Sequence, residues 1–137
     1  MASTASPQAS VMVANSVAME VGTNNIVIMG AFDGLQSAVY PARTTFYAVA
    51  KLWGMSGKDN TCTLKLVDTT NDQVVAEAGE HKFTSNGPTD IHTAISLFQN
   101  VSLPKSGTYE ARAYMGDKVI GAYPITAGSA AGAKPQG

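Results

Sequence analysis

Apolar and polar residues alternate with a period of two over most of this chain, and no long segment carries the helical period. "VMVANSVAM" (Val11 to Met19) places Val11, Val13, Asn15, Val17 and Met19 on one face of an extended strand. After the turn signal "GTNN", the run "IVIMGAF" (Ile26 to Phe32) is apolar on both faces. Such a run reads as a central strand or as one covered by another subunit. Gly30 marks a bulge or a close backbone approach within it, and Asp33–Gly34 a turn after it.

"TTFYAVAKLWG" is the longest strand candidate, with Phe46, Ala48, Ala50 and Leu52 on one face and Tyr47, Val49, Lys51 and Trp53 on the other. "MSGKDN" is a loop, "TCTLKLVD" alternates cleanly, and "TTND" turns the chain into "QVVAEAGEHKFT", where Gly79 breaks or bulges the strand. Beyond "SNGPTD", the segment "IHTAISLFQNVSL" sets Ile91, Thr93, Ile95 and Leu97 against His92, Ala94, Ser96 and Phe98. Its β-branched residues and flanking turns favour a strand over a short helix.

"LPKSGTYEARAYMGDKVIGAYPI" (Leu103 to Ile125) reads as a closing hairpin. Pro104 cannot donate to a ladder and ends the preceding strand, while Gly107 permits the return. Tyr109 starts the next strand at a corner, where its hydroxyl can bond the preceding connection while its ring is buried. Gly116–Asp117 forms a two-residue primed turn, Gly116 supplying the positive φ. The total is eight or nine strands. That predicts an all-β, two-sheet antiparallel immunoglobulin-like β-sandwich over residues 11–126. A Ser/Thr/Ala-rich N-terminal arm (1–10) and a low-complexity C-terminal tail (127–137) flank it, both flexible by composition.

Composition adds constraints. The 137 residues suit one domain, and charged residues at 14% fall well below the usual share of about 25%. A lightly charged surface is readily desolvated against a partner. Nine basic and ten acidic residues are scattered singly, so no cluster exists to neutralise a row of phosphates and no nucleic acid partner is expected. Neither a polybasic patch nor a run of about 20 apolar residues suggests a membrane. The first charge is Glu20, so no signal peptide is read and cytoplasmic synthesis is the expectation.

Candidate chemistry is sparse. Cys62 is the only cysteine; it shares a face with Leu64 and Leu66 and reads as a buried core residue. His81 and His92 lack zinc-ligand spacing, and an Asp90–His92 pair has no evident nucleophile, so both histidines read as solvated or edge-facing. "DTTND" and "GKDN" have the composition of calcium loops without the spacing, and read as turns. No catalytic, cofactor-binding or metal residue is therefore expected. Tyr47, Trp53 and Tyr114 are predicted to face away from the core. They are candidates for an interface anchor, the second face of a covered strand, or a sugar-stacking platform.

The ordered set "VANSVAMEVGTNNIVIMGAFDGLQSAVYP", "FYAVAKLWG" with "LKLVDTTNDQVV", and "LFQNVSLPKSGTYEARAYMGDKVIGAYPI" resembles a family of small uncharacterised bacterial β-sandwich proteins, a domain of unknown function. The resemblance covers about residues 11 to 126. "GAFDG" followed by a Pro, and the "LPxxGxYE" corner, are its most specific pieces. It implies the sandwich fold and brings no catalytic residues; the Ala/Ser-rich arms depart from it.

The functional expectation is a non-enzymatic structural protein. It would pack with itself or another structural protein into a symmetric assembly through sheet surfaces and terminal arms, a virion decoration or shell subunit being its concrete form. The alternative is a small module that binds a sugar or peptide through Trp53 and neighbouring loops.

Overall fold

The computed structural model describes residues 6–23 and 25–129. Nine strands form among them: β1 (Gln8–Met19), β2 (Ile26–Ala31), β3 (Gly34–Ser37), β4 (Ala42–Trp53), β5 (Asp59–Asp68), β6 (Gln73–Thr84), β7 (His92–Leu103), β8 (Gly107–Met115) and β9 (Lys118–Ser129). They build a four-stranded sheet, ordered β2-β1-β4-β7, and a five-stranded sheet, ordered β3-β9-β8-β5-β6. The inward faces meet in one core. The four-stranded sheet contributes Val13, Phe46, Ala50, Leu52, Phe98 and Leu103, and the five-stranded sheet Cys62, Leu64, Leu66, Tyr109, Ala111 and Ile125. Alternation of small and large residues lets the faces interdigitate; Phe46 stacks on Phe98 at 5.1 Å and meets the edge of Phe32 at 5.8 Å.

Three features depart from the pattern read along the chain. The sandwich is antiparallel except for β3, which runs parallel to β9 with Gly34 opposite Thr126 and Ser37 opposite Ser129. β2 is an edge strand, so the reading of "IVIMGAF" as central is corrected. Strand pairing begins at Gln8 and ends at Ser129, inside the stretches read as arm and tail. Residues 1–5 and 130–137 of those stretches lie outside the described residues.

The local signals match their structural roles. Gly116 has φ +63° between the paired Met115 and Lys118, as a two-residue hairpin loop requires. Ala78 and Gly79 together oppose Leu64, so Gly79 sits in a bulge of β6 that continues to Thr84. Among the described residues no helix is long and apolar enough to cross a membrane.

Candidate interaction surface

The outer face of the four-stranded sheet is built from the residues that alternate with its core positions. One cross-strand row runs Ala31, Ala14, Tyr47, Leu97 across all four strands, and a second runs Met12, Val49, Ile95. Met29 and Val27 extend the same face along β2, opposite Ser16 and Ala18. Met12, Val27, Met29 and Leu97 are each 40–46% exposed, whereas Val49 at the centre is 3% exposed. The result is an apolar island with a polar rim. Ser10, Lys51 and Thr93 form the next row, the Lys51 Nζ donating to Thr93 Oγ1 at 2.8 Å, and Arg43 reaches the Asn100 carbonyl at the other end. The rim thus combines hydroxyls and the charged ends of Lys51 and Arg43 around an apolar centre.

The outer face of the five-stranded sheet is different. Arg112 pairs with Glu110 at 2.8 Å and Asp72 at 3.1 Å, and donates to the Tyr114 hydroxyl at 3.4 Å. Lys65 lies 4.7 Å above the Tyr114 ring. This face is ion-paired at its centre, with Val119 opposite Tyr114 and Val74 on β6 as its exposed apolar residues.

The three aromatics singled out from the sequence therefore do not converge. Tyr47 and Trp53 share the outer face of β4, but Tyr47 is half-buried between Ala14 and Leu97, and Trp53 lies at the strand end beside Gln8. Trp53 lines a shallow apolar hollow with Pro88, Thr89 and Ile91. Tyr114 belongs to the opposite sheet, under Lys65. Sequence reasoning missed Met12, Met29, Ile95 and Leu97 as surface residues, because alternation alone does not say which of two apolar faces is covered.

The histidines lie on edge strands, as one of their two readings from the sequence has it. His81 and His92 occupy the seam where β6 and β7 approach across the sandwich. His81 Nε2 is 2.7 Å from the hydroxyl of Ser96, itself 4% exposed, and His92 stacks on Phe83 with 4.2 Å between ring centres. Burial first, and the neighbouring His81 second, lower the His92 pKa, while Asp90 opposes them. Both histidines are structural members of this seam, half-buried and partnered, not solvated. Cys62 is fully buried as expected, and burial pushes its thiol up to about 11, leaving it unreactive at neutral pH. Among the described residues no group of three or more His, Cys, Asp and Glu is arranged to hold a metal.

The corner residues come together as a lock between two connections. Pro104 closes β7, Gly107 opens β8 with φ +148°, and Tyr109, 1% exposed, donates its hydroxyl to the Lys105 carbonyl at 2.5 Å. The Lys105 ammonium then pairs with buried Asp68 at 2.8 Å. Lys105 first, and the Thr70 hydroxyl and amide next, hold the Asp68 carboxyl down to about 2. An Asp in the unfolded chain titrates near about 3.9, so the folded form holds its proton less tightly. Its contribution to stability is therefore full above about 4 and fades as the pH falls toward about 2. Asp68→Asn should lower the melting temperature at pH 7, and that gap should close as melting curves are taken down to pH 2. A gap independent of pH would show that the charge is irrelevant.

A four-stranded sheet facing a five-stranded one, a parallel β3–β9 edge pair and a tyrosine corner at the start of β8 together define an immunoglobulin-like β-sandwich protein. Within that class the chain belongs to the family of unknown function DUF6941, whose model matches residues 9–128. No curated protein matches the sequence. Among solved structures, a β-glucosidase from Listeria innocua is similar at 8% identity and a TM-score of 0.51, and its complex with isofagomine at 8% and 0.50. Each match covers 90% of this chain and 16% of the glucosidase chain, so the likeness is one of fold. An immunoglobulin-like protein from Pseudomonas aeruginosa is matched at 13% identity and a TM-score of 0.40, over 92% of this chain and 99% of that one.

Proposed function

We propose that this protein is a non-enzymatic interaction protein that packs into a symmetric assembly through the outer face of its four-stranded sheet. One observation carries the reading: that face holds a contiguous uncharged island of Met12, Tyr47, Val49, Ile95, Leu97 and Met29, while the opposite face is crossed by the Arg112 ion pairs. Water solvates the second face well and the first poorly, so association buries the first. The His81–Ser96 pair does not argue for hydrolysis, because the serine hydroxyl is buried between the sheets.

The mass of the intact chain in solution tests this. A defined oligomer is expected, and Leu97→Lys, which sets a charge on the β7 side of the face, should shift it toward monomer by at least tenfold in concentration, about 1.4 kcal/mol. A monomer at every concentration contradicts the proposal. A mass of many copies extends it to a shell or virion subunit, and a dimer restricts it to a small oligomer. The same measurement on a chain lacking residues 1–5 and 130–137 reads the contribution of the ends.

A second reading has one observation in its favour. The hollow of Trp53, Pro88, Thr89 and Ile91, with Ile91 63% exposed, is an apolar platform suited to a sugar ring or a peptide side chain. Glycan and peptide binding lost in Trp53→Ala, by a chain that stays monomeric, would select it.

A further inference from the structure

The sandwich has four sheet edges, and three of them are blunted. β3 is four residues long and is followed by Pro41. β6 carries Glu77, Glu80 and Lys82 and is bulged at Ala78–Gly79. β7 lies along the seam with β6, where Ser96 bonds His81 and His92 stacks on Phe83. Short length, charge, a bulge and cover are the devices by which an edge avoids pairing with another chain. β2 is six residues long and, over Ile26–Met29, has no charge, proline, bulge or cover among the described residues. It stays in register with β1 through Met29, where Ser16 opposes it. Val27 and Met29 are exposed on the outer face and Ile28 on the other, so the strand is apolar on both sides and open along its edge.

We infer that β2 is the pairing edge for a second copy of this chain, an inference that rests on the assembly reading above. Symmetry and charge both select that occupant. A two-fold axis normal to the sheet brings identical edges together antiparallel, which is the closed arrangement of a dimer. The pleat adds a condition: opposed residues must share a face, so the numbers of each opposed pair must sum to an even value. The register that keeps all of "IVIM" within the pairing sets Ile28 opposite its own mate and Val27 opposite Met29. No ionisable group meets its like in that register, and a net charge of −1 leaves little repulsion between copies. The two four-stranded sheets become one of eight strands. Their apolar islands then lie side by side on a single face.

Cys62 makes the test clean, because the only native thiol is buried. Ile28→Cys places one reachable thiol at the two-fold axis, where opposed Cα atoms stand about 4.5–5.5 Å apart, within disulfide range. Oxidation of the full chain should give a linked dimer in Ile28→Cys. Ile28→Lys and Ile28→Asp should each lose the dimer when alone and regain it as a mixed pair when combined, since unlike charges then face each other. The return on mixing also excludes misfolding as the cause of the loss. Leu97→Cys serves as the control on the sheet face. Cross-linking through Leu97→Cys with none through Ile28→Cys, in a chain that oligomerises, overturns the edge inference and leaves the assembly reading intact. A wild-type chain that is monomeric at every concentration overturns both.

Discussion

Gly121→Val should be among the most damaging single substitutions in this protein, lowering stability by more than about 3 kcal/mol, the upper end of ordinary overpacking. A Cβ at Gly121 would stand 2.2 Å from the Ala9 carbonyl oxygen and 2.9 Å from its carbon. Both are backbone atoms, so no side-chain rotation relieves the clash. β1 would have to leave either β9 or its partner β4, where Ala9 opposes Leu52. Gly54 repeats the arrangement: with φ +84°, its added Cβ would meet the Ser6 carbonyl oxygen at 2.3 Å. The chain from Ser6 to Ala9 is thus threaded between two glycines, Gly121 on β9 and Gly54 just past the end of β4. Urea denaturation of Gly121→Ala and Gly121→Val measures the loss. The same substitutions in a chain lacking residues 1–9 identify its source: with Ala9 gone, each should cost less than half as much. An equal loss in both backgrounds would refute the threading argument.

That threading bears on what could be read from the sequence. The strands were legible because each carries its own alternation; Phe46, Ala48, Ala50 and Leu52 declare a buried face wherever β4 lies in the sheet. The tyrosine corner and the Gly116 turn were legible because each is a local spacing rule. Sheet membership was not, because alternation has the same form in either sheet. Tyr47 and Tyr114 looked equivalent and lie on opposite outer faces. β3 escaped notice because "GLQS" has no pattern of its own and is held by the distant β9. The Ser96–His81 bond is likewise non-local, joining two strands across the seam. For β2, the apolar run on both faces offered two explanations, and its place at the edge removes the reading as a central strand. The candidate surface was therefore half legible: its composition was visible, its location was not.

Tyr109→Ala should approach Gly121→Val in effect, at about 4–5 kcal/mol, a large part of the about 5–15 kcal/mol that stabilises a typical domain. The ring is fully buried and faces the core beside Ile125, its partner on β9. Removing it opens a cavity walled by both sheets. Tyr109→Phe keeps the ring and removes only the hydroxyl, leaving the Lys105 carbonyl without its donor, and should lose about 1–2 kcal/mol. Comparing the two variants by urea denaturation separates packing from hydrogen bonding; equal losses would mean that the hydroxyl is the whole effect. Lys105 links this corner to Asp68, since its main chain is held by Tyr109 while its ammonium reaches the carboxylate. Freeing the main chain loosens the ammonium as well. Tyr109→Phe combined with Lys105→Met should therefore cost less than the sum of the two single losses, as expected for groups that share one segment of backbone. Strict additivity would show that corner and ion pair act independently.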